Sequence, residues 1–282
     1  MEYTKICKKI KKSALKALLY EVIVGPKPGL VDRYNNGSHS DMNIFTFIDS
    51  SIELEDYFED CCSIALENST EDYDEIFNLL RKRGQKAEDE MFFITKNINT
   101  HKGAIFSLGL VSAASALSFL NANSVTAENI SYYVKKLYSK AYYDDLNNIN
   151  KENLTAGEKI YLNYGIHGVR REVSEGFPTV FNHSLPFLLD LEKKNLPFND
   201  ICIYVLLKII SKSDDTNIIS RGGREGLDYA KDCAVNILEN IAEDRIDDIK
   251  NMDLAFISKN LSPGGSADLL AVTLMIYFLI KN

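Results

Sequence analysis

The apolar residues of this chain recur at three- and four-residue steps along most of its length. Near the N-terminus Ile6, Ile10, Ala14, Leu18 and Val22 follow this spacing, and lysines occupy the opposite face. Such a period places the apolar side chains on one side of an α-helix. The other segments with a helical period are residues 50–67, 73–93, 103–120, 128–142, 200–211, 226–241, 246–258 and 267–281.

Two local patterns predict further helix starts. Thr155 with Glu158 is typical of a capping box, and Ser184 with Pro186 is typical of an N-cap followed by a first-turn proline. Alternating apolar and polar runs are too short to predict strands. We therefore predict an all-α protein, a single compact multi-helix domain of about ten helices over residues 1–282.

Composition and charge narrow the class of protein. The chain has 282 residues, of which 45% are hydrophobic and 26% charged, which is ordinary for a soluble globular protein. Its net charge of −8 argues against a general nucleic-acid binder, which needs a basic face. Residues 103–120 and 269–280 are strongly apolar, and we expect buried core helices and no membrane span.

Cysteine usage and the N-terminal segment indicate the compartment. The five cysteines form no CxxC pair, so we expect reduced thiols. The N-terminal segment is rich in lysine and lacks the pattern of a signal peptide. Both observations favour a cytoplasmic protein.

Candidate chemistry lies where the helical pattern breaks. Residues 25–42 form a long loop that holds glycines, prolines and charges, and loops of this length in compact domains are often functional. Glycine or proline beside a charged residue also occurs in segments 99–103, 168–178, 214–223 and 262–268. Each of these segments adjoins a predicted helix end.

Two glycine-containing turns are candidate phosphate sites. Gly264, Gly265 and Ser266 precede the last helix, where backbone N–H groups and the helix dipole favour an anion. Arg221 and Gly222 repeat this arrangement with a guanidinium group that can bind phosphate with two hydrogen bonds. The alternatives are an ordinary turn with Ser266 as N-cap and a surface arginine at a turn.

Asp214 and Asp215 follow an apolar helix and are candidate metal ligands. Carboxylates at a helix C-terminus oppose the helix dipole unless a cation neutralises them, and Mg²⁺ shared with substrate phosphates is the natural cation. Asp215 is the preferred ligand, because we expect the helix to end there and turn this carboxylate into a cleft. Asp32 in the long loop is the second expected ligand, and a solvated turn at residues 214–215 is the alternative.

Histidines and lysines complete the candidate site. His39 and His101 are flanked by glycine or polar residues and are candidate general acids or bases. Asp41 is an alternative base beside His39. Lys27 and Lys102 are expected to act as point charges for a polyphosphate. For each histidine, a purely structural hydrogen bond is the alternative.

No common nucleotide-binding or hydrolase motif occurs in the chain, but five segments together resemble a known family. The chain is similar to the ATP:dephospho-coenzyme A triphosphoribosyltransferases, the triphosphoribosyl-dephospho-CoA synthases of citrate lyase and malonate decarboxylase maturation. The matching segments are PKPGLVDRYNNGSHSDM at 26–42, NTHKGAIFSLGL at 99–110, 165–170 continuing through EGFPTV at 175–180, DDTNIISRGG at 214–223 and LSPGGSADLLA at 261–271.

The resemblance implies a pentosyl transfer. The family transfers 5-triphosphoribose from ATP to the 2′-hydroxyl of 3′-dephospho-CoA and releases adenine, with inversion from a β to an α linkage. The product is the precursor of a prosthetic group that a separate enzyme loads onto an acyl carrier protein. Family members are cytoplasmic bacterial enzymes, so we expect ATP and 3′-dephospho-CoA as partners and neither nucleic acid nor membrane. A homodimer is possible.

The residue types then suggest roles, which are our inference and are not supplied by the resemblance. Asp32 and Asp215 are expected to hold Mg²⁺ and the triphosphate. His39, Asp41 and His101 are the candidate catalytic residues. The expected nucleotide-binding residues are Lys27, Lys102, Arg170, Arg221, Gly222, Gly264, Gly265 and Ser266.

Two other functions fit parts of the sequence. Another helical magnesium-dependent polyphosphate hydrolase or N-ribosyl hydrolase would account for residues 214–215 and for Arg221. A helical binding or scaffold module without chemistry is the second alternative. The choice between the citrate lyase and malonate decarboxylase pathways stays open.

Overall fold

The computed structural model describes residues 2–70, 72–149, 154–239, 241 and 245–281. Over these residues it has thirteen α-helices, one short π-helical segment and no strand, so the predicted all-α, multi-helix class is confirmed. The α-helices are α1 (Glu2–Ile23), α2 (Ile44–Glu53), α3 (Glu55–Glu67), α4 (Tyr73–Ile94), α5 (Lys102–Ala122), α6 (Ala127–Asn147), α7 (Ala156–Tyr164), α8 (Val169–Ser174), α9 (Leu185–Glu192), α10 (Phe198–Lys212), α11 (Thr216–Leu238), α12 (Ile246–Ser258) and α13 (Gly264–Lys281).

Helix boundaries differ from the predicted ones where the chain bends between apolar turns. The predicted helix 50–67 is two helices, α2 and α3, which meet at Leu54. The capping box of Thr155 and Glu158 is confirmed at the start of α7. Helix α9 begins after Ser184 with Pro186 in its first turn, as predicted, but the Ser184 hydroxyl makes no cap hydrogen bond and pairs with the Thr273 hydroxyl at 2.7 Å instead. The predicted helix 226–241 forms the end of α11, and residue 240 of that prediction lies outside the described residues.

Two apolar helices form the centre of the fold. Helix α5 packs against α3, α6 and α13, and α13 also packs against α1 and α10. Both helices are long and apolar enough to cross a membrane, but 78% of the apolar window in α5 and 61% of that in α13 is buried inside the protein. Core helices of soluble proteins have this character, as the sequence predicted.

The cysteines differ from the prediction at one pair. Cys7 on α1 and Cys62 on α3 form a disulfide, so the expectation of five reduced thiols is wrong. Cys61, Cys202 and Cys233 are free. The pair is formed by the packing of α1 against α3 and is separated by 55 residues in the chain, which is why no local spacing indicates it.

The close approach of α3 and α5 depends on a glycine. A Cβ atom at Gly109 would lie 2.0 Å from the Tyr57 hydroxyl oxygen. This hydroxyl is buried and donates to the Ile105 carbonyl at 2.9 Å, so the tyrosine has little freedom to withdraw. The helix pair therefore leaves no space for a side chain at this position.

We predict that Gly109→Ala lowers the free energy of unfolding by about 1–3 kcal/mol, the range typical of overpacked cores. Gly157→Ala is the matched control, because a Cβ there meets nothing within 4 Å. The control is expected to change stability by less than about 1 kcal/mol, in the stabilising direction. Urea unfolding checks both, and a Gly109→Ala protein as stable as wild type would contradict the packing argument.

Candidate active site

A cleft of about 670 Å³ lies where several helices begin. Its wall includes the first residues of α5, α11 and α13, together with parts of the 24–43 loop and of the segment 165–179. The volume is typical of small-molecule sites. Helix N-termini favour negative charge, and here protein carboxylates lie at them: Asp215 accepts from the starts of α11 and α13, and Asp268 accepts from Ala104 at the start of α5.

The sequence-predicted site residues divide into those on the cleft wall and those behind it. On the wall lie His39, Asp41, His101, Lys102, Asp215, Arg221, Gly264 and Gly265. Behind it lie Lys27, Asp32, Arg170, Gly222 and Ser266. The fold thus brings most of the predicted set to one place, and the roles of individual residues stay predictions.

Asp215 joins the N-termini of α11 and α13. Its Oδ1 accepts from the backbone N–H groups of Asn217 and Ile218 at 2.9 and 3.3 Å. Its Oδ2 accepts from the backbone N–H and the hydroxyl of Ser266 at 2.7 and 2.8 Å. The expected position at a helix C-terminus is wrong: α10 ends at Lys212, and Asp215 is the N-cap of α11, where negative charge is favourable.

Glycines allow the close approach of these helix starts. A Cβ at Gly264 would lie 2.7 Å from the Asn217 amide nitrogen, and one at Gly265 would lie 3.2 Å from Asp215 Oδ1. Gly222 serves packing instead, because a Cβ there would lie 2.4 Å from a methyl of Leu261. Gly264 and Gly265 therefore leave backbone at the cleft surface.

Asp32 organises the long loop from within. This residue is 2% exposed, and its carboxylate accepts from the backbone N–H groups of Lys27, Tyr34 and Asn35 at 2.8, 2.6 and 3.1 Å. These bonds hold a loop without secondary structure in one shape. The carboxylate has no direct contact with the cleft.

The carboxylates present do not form a resident metal site. Over the described part of the chain, no group of three or more His, Cys, Asp or Glu side chains has an arrangement that would hold a metal ion. The oxygens of Asp32 and Asp215 already accept hydrogen bonds from the protein. Their assignment as magnesium ligands stays a prediction that the geometry does not favour.

The two lysines have different surroundings. Lys27 is 1% exposed, and its ammonium group forms an ion pair with the Glu21 carboxylate and donates to the Glu21 carbonyl at 2.6 Å. Glu21 itself lines the cleft, so the ammonium group of Lys27 neutralises a carboxylate of the cleft wall although Lys27 does not line the cleft. Lys102 lies on the rim, with its Nζ 2.7 Å from a Glu88 oxygen.

His39 is a neutral imidazole held at both nitrogens. Its Nδ1 lies 3.4 Å from Arg221 Nη2, and its Nε2 lies 2.9 Å from the Ser262 hydroxyl. A guanidinium only donates, so Nδ1 is the acceptor and Nε2 carries the proton. Burial, and then the positive charge of Arg221, lower the pKa of His39. Asp41 lies 3.9 Å away with 59% of its side chain exposed.

His101 is buried at the start of α5. Its Nδ1 lies 2.8 Å from the Ser50 hydroxyl, and that hydroxyl accepts from Thr100 at 2.8 Å. Its Nε2 has no hydrogen-bond partner among the described residues. Burial, and then the charge of Lys27, lower the pKa of His101 to about 3, so the ring is neutral.

Sequence reasoning missed several groups on the wall. Arg171 lines the cleft and Arg170 does not; Arg170 lies 3.6 Å from Glu158 instead. Asp268 on α13 also lines it, and sequence reasoning left this residue unassigned although it follows Gly264 and Gly265. Burial and then the charges of Glu21 and Asp215 raise the pKa of Asp268 well above its usual range.

Comparison with known proteins gives a consistent result. Residues 7–282 match the model of the family described as CitG: ATP:dephospho-CoA triphosphoribosyl transferase. The chain belongs to this family. A probable 2-(5''-triphosphoribosyl)-3'-dephosphocoenzyme-A synthase of Streptococcus pyogenes serotype M18 is 38% identical over 96% of this chain and 97% of its own. A protein of the same name from serotype M5 is 37% identical over the same shares. No solved structure gives a significant match.

The family match spans every element of the cleft, from α1 to α13. The five segments that carried the resemblance lie at or next to this cleft, although as many as 56 residues separate one segment from the next along the chain. The family match therefore covers all the segments from which the cleft is built.

We predict that Asp268→Asn makes the unfolding free energy less dependent on pH. A carboxyl whose pKa is raised by folding contributes stability below its unfolded value of about 4, and this contribution is lost as the pH rises. An amide cannot ionise, so the variant is expected to exceed wild type in stability at pH 7–8. Denaturant unfolding from pH 4 to 8 checks this, with exposed Asp214→Asn as control. Parallel curves for wild type and Asp268→Asn would contradict the burial argument.

Proposed function

We propose that this protein transfers 5-triphosphoribose from ATP to the 2′-hydroxyl of 3′-dephospho-CoA and releases adenine. The observation that carries the proposal is the match of residues 7–282 to the triphosphoribosyl transferase family, together with a cleft whose wall holds the cationic side chains Lys102 and Arg221. A triphosphate is strongly anionic, and these cations attract it. The relatives are named as synthases of the corresponding product.

The reaction breaks the bond from C1′ of the ribose to N9 of adenine and joins C1′ to the acceptor oxygen. The electron pair of the broken bond leaves with adenine, and the acceptor hydroxyl loses its proton to a base. Glycosyl transfer of this kind passes through an oxocarbenium-like state. Anchoring the triphosphate holds C1′ in line with the incoming oxygen, which is where the protein gains rate by proximity.

We assign the base among the residues near the rim. Asp41 is the stronger candidate, because both ring nitrogens of His39 are already hydrogen-bonded. The His39 ring then holds the Arg221 guanidinium in position at the rim of the cleft. His101 is assigned to substrate contact from the start of α5, where its neutral ring has an unpartnered nitrogen.

The contacts to phosphate are assigned from the positions of the residues on the cleft wall. Lys102, Arg221, Gly264 and Gly265 line the cleft and are assigned to the triphosphate. The residues behind the wall act indirectly, by holding these groups in place; they are Lys27, Arg170, Gly222 and Ser266. The base contact and the phosphate contacts then lie on one continuous surface.

Magnesium is proposed to enter with ATP. Mg²⁺ commonly keeps several waters and binds through substrate phosphates plus one or two carboxylates, so a protein cage is not needed. When bound, it neutralises charge on the triphosphate. We further propose that the protein acts as a single domain in the cytoplasm and that a separate enzyme loads its product onto an acyl carrier protein. A homodimer is compatible with this function.

We predict that adenine forms only when ATP, 3′-dephospho-CoA and a divalent cation are all present. Chromatography of adenine and of the coupled product measures this, with excess EDTA as the metal-free arm. Adenine or pyrophosphate formed without the acceptor would indicate the hydrolase alternative. No turnover, together with no effect of nucleotide on thermal stability, would favour a binding module.

We predict that Arg221→Ala raises KM for ATP at least tenfold and KM for 3′-dephospho-CoA less than threefold. Loss of a hydrogen bond to a charged group costs about 1.5–3 kcal/mol, which corresponds to this change or more. Arg224→Ala is the matched control, since Arg224 pairs with Asp228 away from the cleft. An equal rise in both KM values would show that Arg221 only fixes the rim through its bonds to Ser38 and Asn260.

A further inference from the structure

The departure of adenine requires a proton, and the cleft holds few groups able to supply one. An adenine anion is a poor leaving group, so a general acid near the base accelerates the cleavage. The imidazoles of His39 and His101 are unsuitable, because burial lowers the pKa of both rings and leaves them neutral. The acid is therefore to be found among the carboxyl groups.

Three carboxyl groups on the cleft wall have a raised pKa, chiefly through burial: Glu172, Asp215 and Asp268. Two of them, Glu172 and Asp215, already accept hydrogen bonds at both of their oxygens. Glu172 accepts from the backbone N–H and the hydroxyl of Thr179 at its two oxygens. Asp215 accepts four hydrogen bonds from Asn217, Ile218 and Ser266. Neither has an oxygen that is without a hydrogen bond from the protein.

Asp268 differs from these two in its hydrogen bonding. Its carboxyl accepts from the backbone N–H of Ala104, and no side chain of the described residues donates to it. It therefore has an oxygen that can carry a proton and turn it toward a ligand. The residue lies on the first turn of α13 and faces the start of α5 across the cleft wall.

Gly103 fixes the place of this carboxyl. A Cβ atom at Gly103 would lie 2.0 Å from Asp268 Oδ2, so the carboxyl rests directly on the α5 backbone. The glycine is required for that approach, and Gly103 itself lines the cleft. The contact holds the carboxyl against the wall in a defined position.

The charges around Asp268 also indicate which end of ATP binds beside it. From α1, Glu21 faces it with Lys27 behind, and from the start of α11 Asp215 faces it; from α5 come the neutral His101 and the rim residue Lys102. Carboxylates on this side disfavour phosphate, whereas Arg221 favours it elsewhere on the wall. The neutral adenine is the part of ATP that suits the Asp268 side.

We propose that Asp268 is the general acid that protonates N7 of adenine as the bond between C1′ and N9 breaks. This inference rests on the proposed function. The electron pair of the broken bond moves into the adenine ring, and the carboxyl proton of Asp268 moves to N7, so neutral adenine leaves. The acceptor oxygen bonds to C1′ and gives its proton to Asp41. Solvent returns the proton to Asp268 and removes it from Asp41 between turnovers.

The test compares ATP with 7-deaza-ATP, which has carbon in place of N7 and cannot accept the proton. Wild type is expected to turn over 7-deaza-ATP at least a hundredfold more slowly than ATP, within the range for general acid catalysis. With ATP, the kcat of Asp268→Asn is expected to lie at least a hundredfold below that of wild type. With 7-deaza-ATP, the kcat of the variant is expected to lie less than threefold below that of wild type. Single-turnover assays with labelled nucleotide measure both.

Two further measurements distinguish an acid from a structural residue. The alkaline decline of kcat in wild type is expected to disappear in Asp268→Asn, while KM for ATP changes less than threefold. Gly103→Ala, which displaces the carboxyl, is expected to lose at least tenfold in kcat. Asp190→Asn is the matched control, since Asp190 is an exposed carboxylate paired with Lys193 away from the cleft.

Each outcome decides the proposal. The proposal is overturned if replacing ATP by 7-deaza-ATP slows wild type and Asp268→Asn by the same factor. It is also overturned if Asp268→Asn keeps more than a third of wild-type kcat with ATP. Unfolding curves are the check that the variant is folded, which is the expected result because the amide carries no charge. The two hypotheses fail differently: absence of product from wild type rejects the proposed transfer, whereas normal product from wild type with no effect of Asp268→Asn rejects only the acid.

Discussion

One buried carboxylate, that of Asp215, holds two helix N-termini together, and the cleft depends on it. Each oxygen of Asp215 accepts two hydrogen bonds, one pair from the start of α11 and the other from Ser266 in the first turn of α13. Without that carboxylate, several buried donors would lose their acceptors, which costs about 1–3 kcal/mol each. The same carboxylate offsets the partial positive charge of both helix starts, so binding of a phosphate depends on the cationic side chains of the cleft wall.

The opposite wall is a loop shaped by side chains in place of secondary structure. Asp32 accepts three backbone N–H groups within the loop, and Asp253 on α12 accepts from the Gly29 N–H at 2.8 Å. The Ser38 hydroxyl donates to the Leu261 carbonyl at 2.6 Å, and Arg221 donates to the Ser38 carbonyl. These bonds tie the loop to the segment before α13, so the loop and the helix starts form one rigid wall.

The periodicity predicted the helices because it depends on local spacing, whereas the site depends on contacts between distant segments. Asp215 caps its own helix and also binds Ser266, 51 residues away, so the sequence indicated a reactive carboxylate without indicating its acceptor role. Glu21 carried a signal that could have been used, since it lies three residues after Leu18 on the apolar face of α1. The disulfide of Cys7 and Cys62 had no such signal, because only tertiary packing of α1 and α3 brings the two residues together.

The cleft combines two electrostatic environments that would oppose each other if they were mixed. Arg221 favours a highly charged triphosphate, whereas protonation of a leaving base requires a neutral carboxyl, and positive charge nearby would ionise it. Burial and the charges of Glu21 and Asp215 raise the pKa of Asp268 and so oppose that ionisation. Lys27 pairs with Glu21 from behind the wall, and Lys102, which precedes Gly103 in α5, pairs with Glu88 at the rim. These ion pairs satisfy the two cations nearest the acid, so anchoring of the triphosphate by Arg221 and protonation of the base by Asp268 can occur in one cleft.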